Sequence, residues 1–277
     1  MGGYYARHDG ETEDVAFASE DHYKPRFAGD VLPRRPAGVA LALADKLETL
    51  AGLFGVGQLP TGDKDPFALR RHALGVTRML IERELPLDTE ALVQMAFKVF
   101  GVQHGQAQAE LALFLRERLV GYLRELGYSA QEVDAVLELR PERWAELPKR
   151  LAALRQFAAL PEAPALAAAN KRVGNILKKS DGTAGAEVRS ALFGDAAEAA
   201  LHAALQGVSK QADAAFDAGD LAGSLQALAA LKAPVDDFFD KVMVNAEDPA
   251  LRANRLALLG QLHAAMNRVA DLSKLAA

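Results

Sequence analysis

Apolar positions recur at three- and four-residue steps along most of the 277-residue chain, the spacing of helices that each bury one stripe. Leu43, Leu47, Leu50 and Phe54 mark a helix from about Gly38 to Phe54, stopped by Gly55 and Gly57. Leu69, Ala73, Val76 and Leu80 mark the next. Its start is signalled by Asp65, whose carboxylate can accept from free backbone N–H groups, and by Pro66, which suits a first helical position. Further helices are predicted over about Asp88–Phe100, Gln106–Leu126 and Ala130–Leu139, and Pro141 is read as opening one through Trp144 and Leu154 toward Leu160. Beyond Pro161 the pattern predicts a helix to Lys179, a glycine-rich loop from Ser180 to Gly185, and a helix from Asp195 into Phe216. A short helix ending at Lys232 and another from Pro234 through Val242 follow. The last helix carries the clearest signals: Asp248 as its cap, Pro249 in its first turn, and Leu251, Leu258, Leu262, Met266, Val269 and Leu272 as its stripe. Residues 1–36 read as a loop, a short helix around Glu11–Tyr23 and an irregular stretch rich in proline and glycine. The fold class expected is all-α: a multi-helix region over 1–160 and a helical bundle over 161–277.

Composition supports this and removes several chemistries. Half of the residues are apolar, many of them alanine, and only 6% are aromatic, which favours packed helices over a sheet. The absence of cysteine excludes disulfides, thiolate metal sites and a cysteine nucleophile. No apolar run reaches the roughly 18 residues of a membrane span, so a soluble, cytoplasmic protein without a membrane partner is expected. A net charge of −5 argues against a general nucleic-acid coat and leaves any such role to a local basic face.

Catalytic motifs find little foothold. Gly57-x4-Gly62 is followed by Asp63 where a phosphate-binding loop requires lysine, and the element before it reads as a helix. His8-Asp9 with Asp45 could be the remains of a divalent-metal cluster of the HD phosphohydrolase type, but further ligands are missing from the pattern. The six histidines are scattered, with no nucleophile elbow beside a serine. Neither catalytic nor metal-binding residues are expected.

Asn170-Lys171-Arg172-Val173-Gly174-Asn175-Ile176-Leu177-Lys178-Lys179 is the best candidate for chemistry, with four cations and no acid. Lys171, Asn175 and Lys178 share a face, with Arg172 and Lys179 beside them, so the strip can neutralise phosphates while asparagine reaches bases or sugars. Lysines closing a helix also stabilise its dipole without any partner. Arg252 and Arg255, one turn apart on the last helix, form a second basic strip, and Arg70, Arg71 and Arg78 a third; each is equally compatible with a solvated face.

These clusters fall within stretches that resemble the β subunit of bacterial glycyl-tRNA synthetase. The stretches run in order from His22-Tyr23-Lys24-Pro25-Arg26-Phe27-Ala28-Gly29-Asp30 through Ala42–Leu50, Gln58–Arg71 and Ala169–Leu177 to Phe238–Asn245 and the helix after Asp248. The resemblance implies the C-terminal part of that subunit: the end of an HD-like domain and a helical linker over 1–160, then an anticodon-binding bundle of the DALR type over 161–277. It implies tRNA-Gly and the synthetase α subunit as partners in an α2β2 heterotetramer, with no DNA partner. ATP and magnesium belong to the α subunit, and no cofactor is expected in this region. The residues implied to contact tRNA are Asn170, Lys171, Arg172, Asn175, Lys178, Lys179, Arg252 and Arg255. The alternatives are a metal hydrolase built on His8, Asp9 and Asp45, and a purely structural helical module that docks the α subunit.

Overall fold

The computed structural model describes residues 1–100, 107–180 and 187–276; His104 and the expected glycine-rich loop past Ser180 lie outside the described residues. Those residues form α-helices joined by turns and short 3-10 segments, with two isolated β-bridges and no strand among them. The all-α expectation is borne out. None of the described helices is long and apolar enough to cross a membrane.

The chain packs as two units. The first comprises Met1–Gly127 and Pro141–Leu147. It holds α1 (Gly2–His8), α2 (Glu13–Asp21), α3 (Pro36–Gly55), α4 (Leu69–Glu82), α5 (Thr89–Lys98) and α6 (Ala107–Glu125). Leu43, Leu47, Leu50 and Phe54 of α3 and Leu69, Ala73, Val76 and Leu80 of α4 are all buried, as their spacing predicts, and meet Leu111, Leu115 and Leu119 of α6. Where α2 gives way to α3, the Asp21 carboxylate accepts from Lys24 Nζ at 2.9 Å, from Arg34 Nη2 at 2.8 Å and from the Arg34 backbone N–H at 2.7 Å. Burial alone would raise the Asp21 carboxyl, but these donors outweigh it and hold it at about 2.

The second unit comprises Tyr128–Arg140 and Pro148–Ala277. It holds α7 (Ala130–Leu137), most of α8 (Leu147–Ala158), α9 (Ala163–Lys179), α10 (Ala196–Asp217), α11 (Leu221–Ala227), α12 (Lys232–Lys241) and α13 (Pro249–Met266). Residues 128–140 and 148–160 group with this unit, ahead of the boundary expected at Pro161, because the chain end packs on them. Asp271 N donates to Ala135 O at 2.8 Å, and Arg150 Nη1 donates to Val269 O at 3.0 Å.

Four local expectations change. Met1–Gly10 is not a loop throughout: α1 forms there, and a Cβ on Gly3 would lie 2.7 Å from the Ala16 carbonyl oxygen, so the glycine permits close approach to α2. Asp65 does cap α4, accepting from Leu69 N at 2.8 Å and Arg70 N at 2.9 Å, yet α4 begins at Leu69, and Pro66 precedes it in a turn that passes through left-handed Ala68. Pro141 opens no α-helix; Thr89 N donates to Glu142 O, a 3-10 turn follows at Trp144–Glu146, and α8 starts at Leu147. Finally, α13 ends at Met266, so Val269 and Leu272 are buried from the turn beyond it.

Candidate nucleic-acid interface

Both basic strips of the second unit come from helices with well-defined ends. Pro164 lies in the first turn of α9, which leaves Lys178 and Lys179 in its last turn. The Asp248 carboxylate caps α13 by accepting from Ala250 N at 2.7 Å and Leu251 N at 3.4 Å, with Pro249 directly after it. Arg252 therefore projects from the opening turns of α13.

The two helices pack against each other through Asn170, a residue expected on the contact surface. Asn170 is fully buried and exchanges amide hydrogen bonds with Asn267, at 2.8 Å and 3.2 Å. Asn267 also donates to His263 O and accepts from Leu272 N, so the pair fixes the end of α13 against α9. Gly174 faces His263, where a Cβ would lie 3.4 Å from Nε2, and burial lowers the pKa of that imidazole. Asn170 is thus a clamp inside the bundle and is removed from the candidate contact surface.

Arg255 is removed for a similar reason. Its Nε and Nη2 donate to Glu198 Oε1 of α10 at 3.0 and 2.7 Å, and its Nη1 donates to Met243 O at 2.8 Å. It is 9% exposed. The guanidinium ties α10, α13 and the segment after α12 together, and so sets the position of Asn245 two residues beyond Met243. Asn254 adds a backbone-like pair, accepting from Arg189 N at 2.7 Å and donating to Arg189 O at 3.1 Å.

What remains exposed converges. A groove of about 810 Å3 opens between α9 and α13, lined by Lys171, Arg172, Asn175 and Lys179 from α9, by Arg252 from α13, and by Asn245. Ile176 and Leu256 give it apolar lining. Four cations and two amides face it, with no carboxylate in its lining among the described residues. Arg172 lies over the Phe239 ring of α12, 4.1 Å from its centroid, which holds the guanidinium as a flat platform. Lys178 is exposed but lies outside this lining. Of the eight residues singled out from sequence, five therefore meet in one groove. Asn245 and Phe239 were missed as contributors: both stand in the Phe238–Asn245 stretch, but nothing in their spacing links them to α9, some 60 to 70 residues earlier.

The other candidates do not assemble. His8 ends α1 and Asp9 follows it, both exposed, and Asp45 is exposed on α3. No three His, Asp or Glu side chains among the described residues come close enough together to hold a metal ion. In the third basic strip, Arg78 pairs with Glu82 at 2.6 Å and donates to Asp30 O, and Arg70 donates to Gly62 O. Arg71 alone of the three stays at the surface without such a partner among the described residues.

Comparison with known proteins finds two family models that match successive parts of the chain. Residues 1–138 match the family model described as glycyl-tRNA synthetase beta subunit, and residues 166–275 match the DALR anticodon binding domain. The groove lies wholly within the second match. The chain is 67% identical over 279 residues to the glycine–tRNA ligase beta subunit of Thiobacillus denitrificans, covering 100% of this chain and 40% of that protein. It is 66% identical over 277 residues to that of Leptothrix cholodnii, covering 100% and 39%. The chain spans about 40% of the length of the curated relatives it matches.

Proposed function

The chain belongs to the glycyl-tRNA synthetase β-subunit family, and on that premise we propose that its second unit holds the anticodon arm of tRNA-Gly in the groove between α9 and α13. The observation that carries the reading is the lining: Lys171, Arg172, Lys179 and Arg252 with Asn175 and Asn245, and no acid among the described residues. Phosphate neutralisation by the four cations supplies affinity, and the two amides, which both donate and accept, offer contacts to base edges. Arg172 on Phe239 offers a stacking plane for an unstacked base.

In this reading the chain is the RNA-holding region of a cytoplasmic glycine–tRNA ligase. It partners an α subunit, in an α2β2 assembly, that carries ATP, magnesium and the aminoacylation chemistry.

Filter binding of the chain to tRNA-Gly tests the assignment. Changing Arg172, Lys179 and Arg252 together to glutamate is expected to weaken binding by at least a hundredfold at moderate salt, whereas an Asn245→Ala change is expected to blunt discrimination against an anticodon-substituted tRNA-Gly. Unchanged affinity in the triple variant overturns the groove as the binding site.

A further inference from the structure

The first unit carries a second hollow, of about 250 Å3, built from its own residues: Tyr23 and Arg26 after α2, Asp45 and Lys46 on α3, and Arg71 and His72 on α4. Lys46 is 2% exposed, a degree of burial at which an ammonium is normally matched by a carboxylate. Here Nζ donates to the His22 carbonyl at 2.9 Å and has no carboxylate within ion-pair distance among the described residues, so two of its three hydrogens lack a described acceptor. The fold makes room for this lysine. A Cβ on Gly75 would lie 2.9 Å from Lys46 Cε and 3.0 Å from Cδ. His72 Nδ1 is likewise buried with no hydrogen-bond partner among the described residues.

We infer that this hollow binds a single nucleotide, its phosphate held between Lys46 and Arg71, its sugar hydroxyls by Asp45, and its base against Tyr23. Arg26 is spent on Asp30, at 3.0 Å, so the charges left for a ligand are those of Lys46 and Arg71 against Asp45, a net positive site. Two fixed cations beside one carboxylate repel a divalent metal and accept a phosphate. The carboxylate accepts hydroxyl hydrogens, which a ribose offers at a distance from its phosphate, whereas inorganic phosphate carries them only on the anion that the cations hold. The Tyr23 ring is 65% exposed and backed by the His22 imidazole at a centroid distance of 3.8 Å, which suits stacking on a base. The nucleotide is either free in solution or a unit of an RNA strand; the two share this chemistry. The site involves no residue of the α9–α13 groove.

Calorimetric titration of the chain with adenosine monophosphate, inorganic phosphate and a five-residue adenylate RNA tests the site. The RNA titration is made in the Lys179→Glu/Arg252→Glu background, to silence the groove. Saturable binding of the monophosphate or the RNA is expected, weakened at least tenfold by Arg71→Ala and by Tyr23→Ala, both surface changes that leave the core intact. Gly75→Ala, which displaces Lys46, is expected to weaken it as well. Tighter binding of the monophosphate assigns a free nucleotide, and tighter binding of the RNA assigns a strand. The inference is overturned if neither probe binds saturably, if Arg71→Ala and Tyr23→Ala bind as the parent does, or if inorganic phosphate competes with adenosine monophosphate on equal terms. Since the groove variants are a separate set, failure here leaves the anticodon-arm reading standing, and the reverse also holds.

Discussion

Arg255 and Glu198 share two hydrogen bonds at a site where almost all of both side chains is withdrawn from water. The attraction of such a pair is largely consumed in desolvating it, so the pair adds little by existing, but losing one member leaves an uncompensated buried charge. Arg255→Ala is therefore expected to destabilise the second unit by about 3–5 kcal/mol. The double variant Arg255→Met/Glu198→Gln is expected to recover most of that loss, as read from urea unfolding midpoints at constant slope. A cost below about 1 kcal/mol for Arg255→Ala would deny the pair this role. The same residue shows where spacing stops being informative. Arg252 and Arg255 lie one turn apart, and a helical projection places both on one strip. What separates them is Glu198, 57 residues earlier on α10, and the Met243 carbonyl, neither of which the local pattern of α13 contains. Asn170 repeats the lesson: its partner Asn267 lies 97 residues away. Lys171, Arg172, Asn175 and Lys179 were legible because all four are exposed on α9, a placement that the helical period of that one segment discloses.

At the scale of elements, caps carried most of what the sequence disclosed, and backbone proximity most of what it hid. Asp248 was legible as a cap because Asp-Pro before an apolar stripe satisfies two start signals at once. Removing its carboxylate by Asp248→Ala is expected to cost about 1 kcal/mol of stability. It should also weaken RNA binding severalfold, because Arg252 projects from the turns that would fray; thermal unfolding and filter binding on the same variant check both. Asp65 was legible as a cap but not in its offset, since Ala68 adopts a left-handed conformation that no residue-type rule assigns to alanine. The stretch before Glu11 reads as a loop, whereas Gly3 is what lets α1 approach the Ala16 carbonyl. Between α2 and α3 the Asp21 clasp adds a pH dependence whose sign follows from its depressed pKa. With a folded value of about 2 against roughly 4 for a free aspartate, the clasp's contribution is complete above about pH 4 and fades as pH falls toward 2. Asp21→Asn is expected to melt well below the parent at pH 6, and the gap is expected to narrow steadily between pH 4 and 2.5; a gap independent of pH over that range would show that ionisation of Asp21 does not hold the two helices together.

For the molecule as a whole, a net charge of −5 and a groove bearing four cations act at different ranges. Acidic surface far from the groove opposes approach of RNA at low salt, but charges more than about 10 Å apart are largely screened at 0.1 M salt. If the groove holds tRNA as proposed, affinity near physiological ionic strength is therefore set by its cations. Each phosphate neutralised on a single-stranded segment contributes about −0.7 to the slope of log K against log salt, so three or four contacts predict a slope between about −2 and −3. That is shallow beside a sequence-independent coat, and it separates charge from stacking. Arg252→Ala removes one phosphate contact and is expected to reduce the slope by about 0.7. Phe239→Leu leaves every charge in place but takes away the ring beneath Arg172, and is expected to lower affinity about fivefold, matching a cation–π contact of about 1 kcal/mol, with no change in slope. If Phe239→Leu flattened the slope as Arg252→Ala does, Arg172 would be acting on phosphate alone. An unchanged slope with reduced affinity would instead identify the Arg172–Phe239 pair as the surface on which a base stacks.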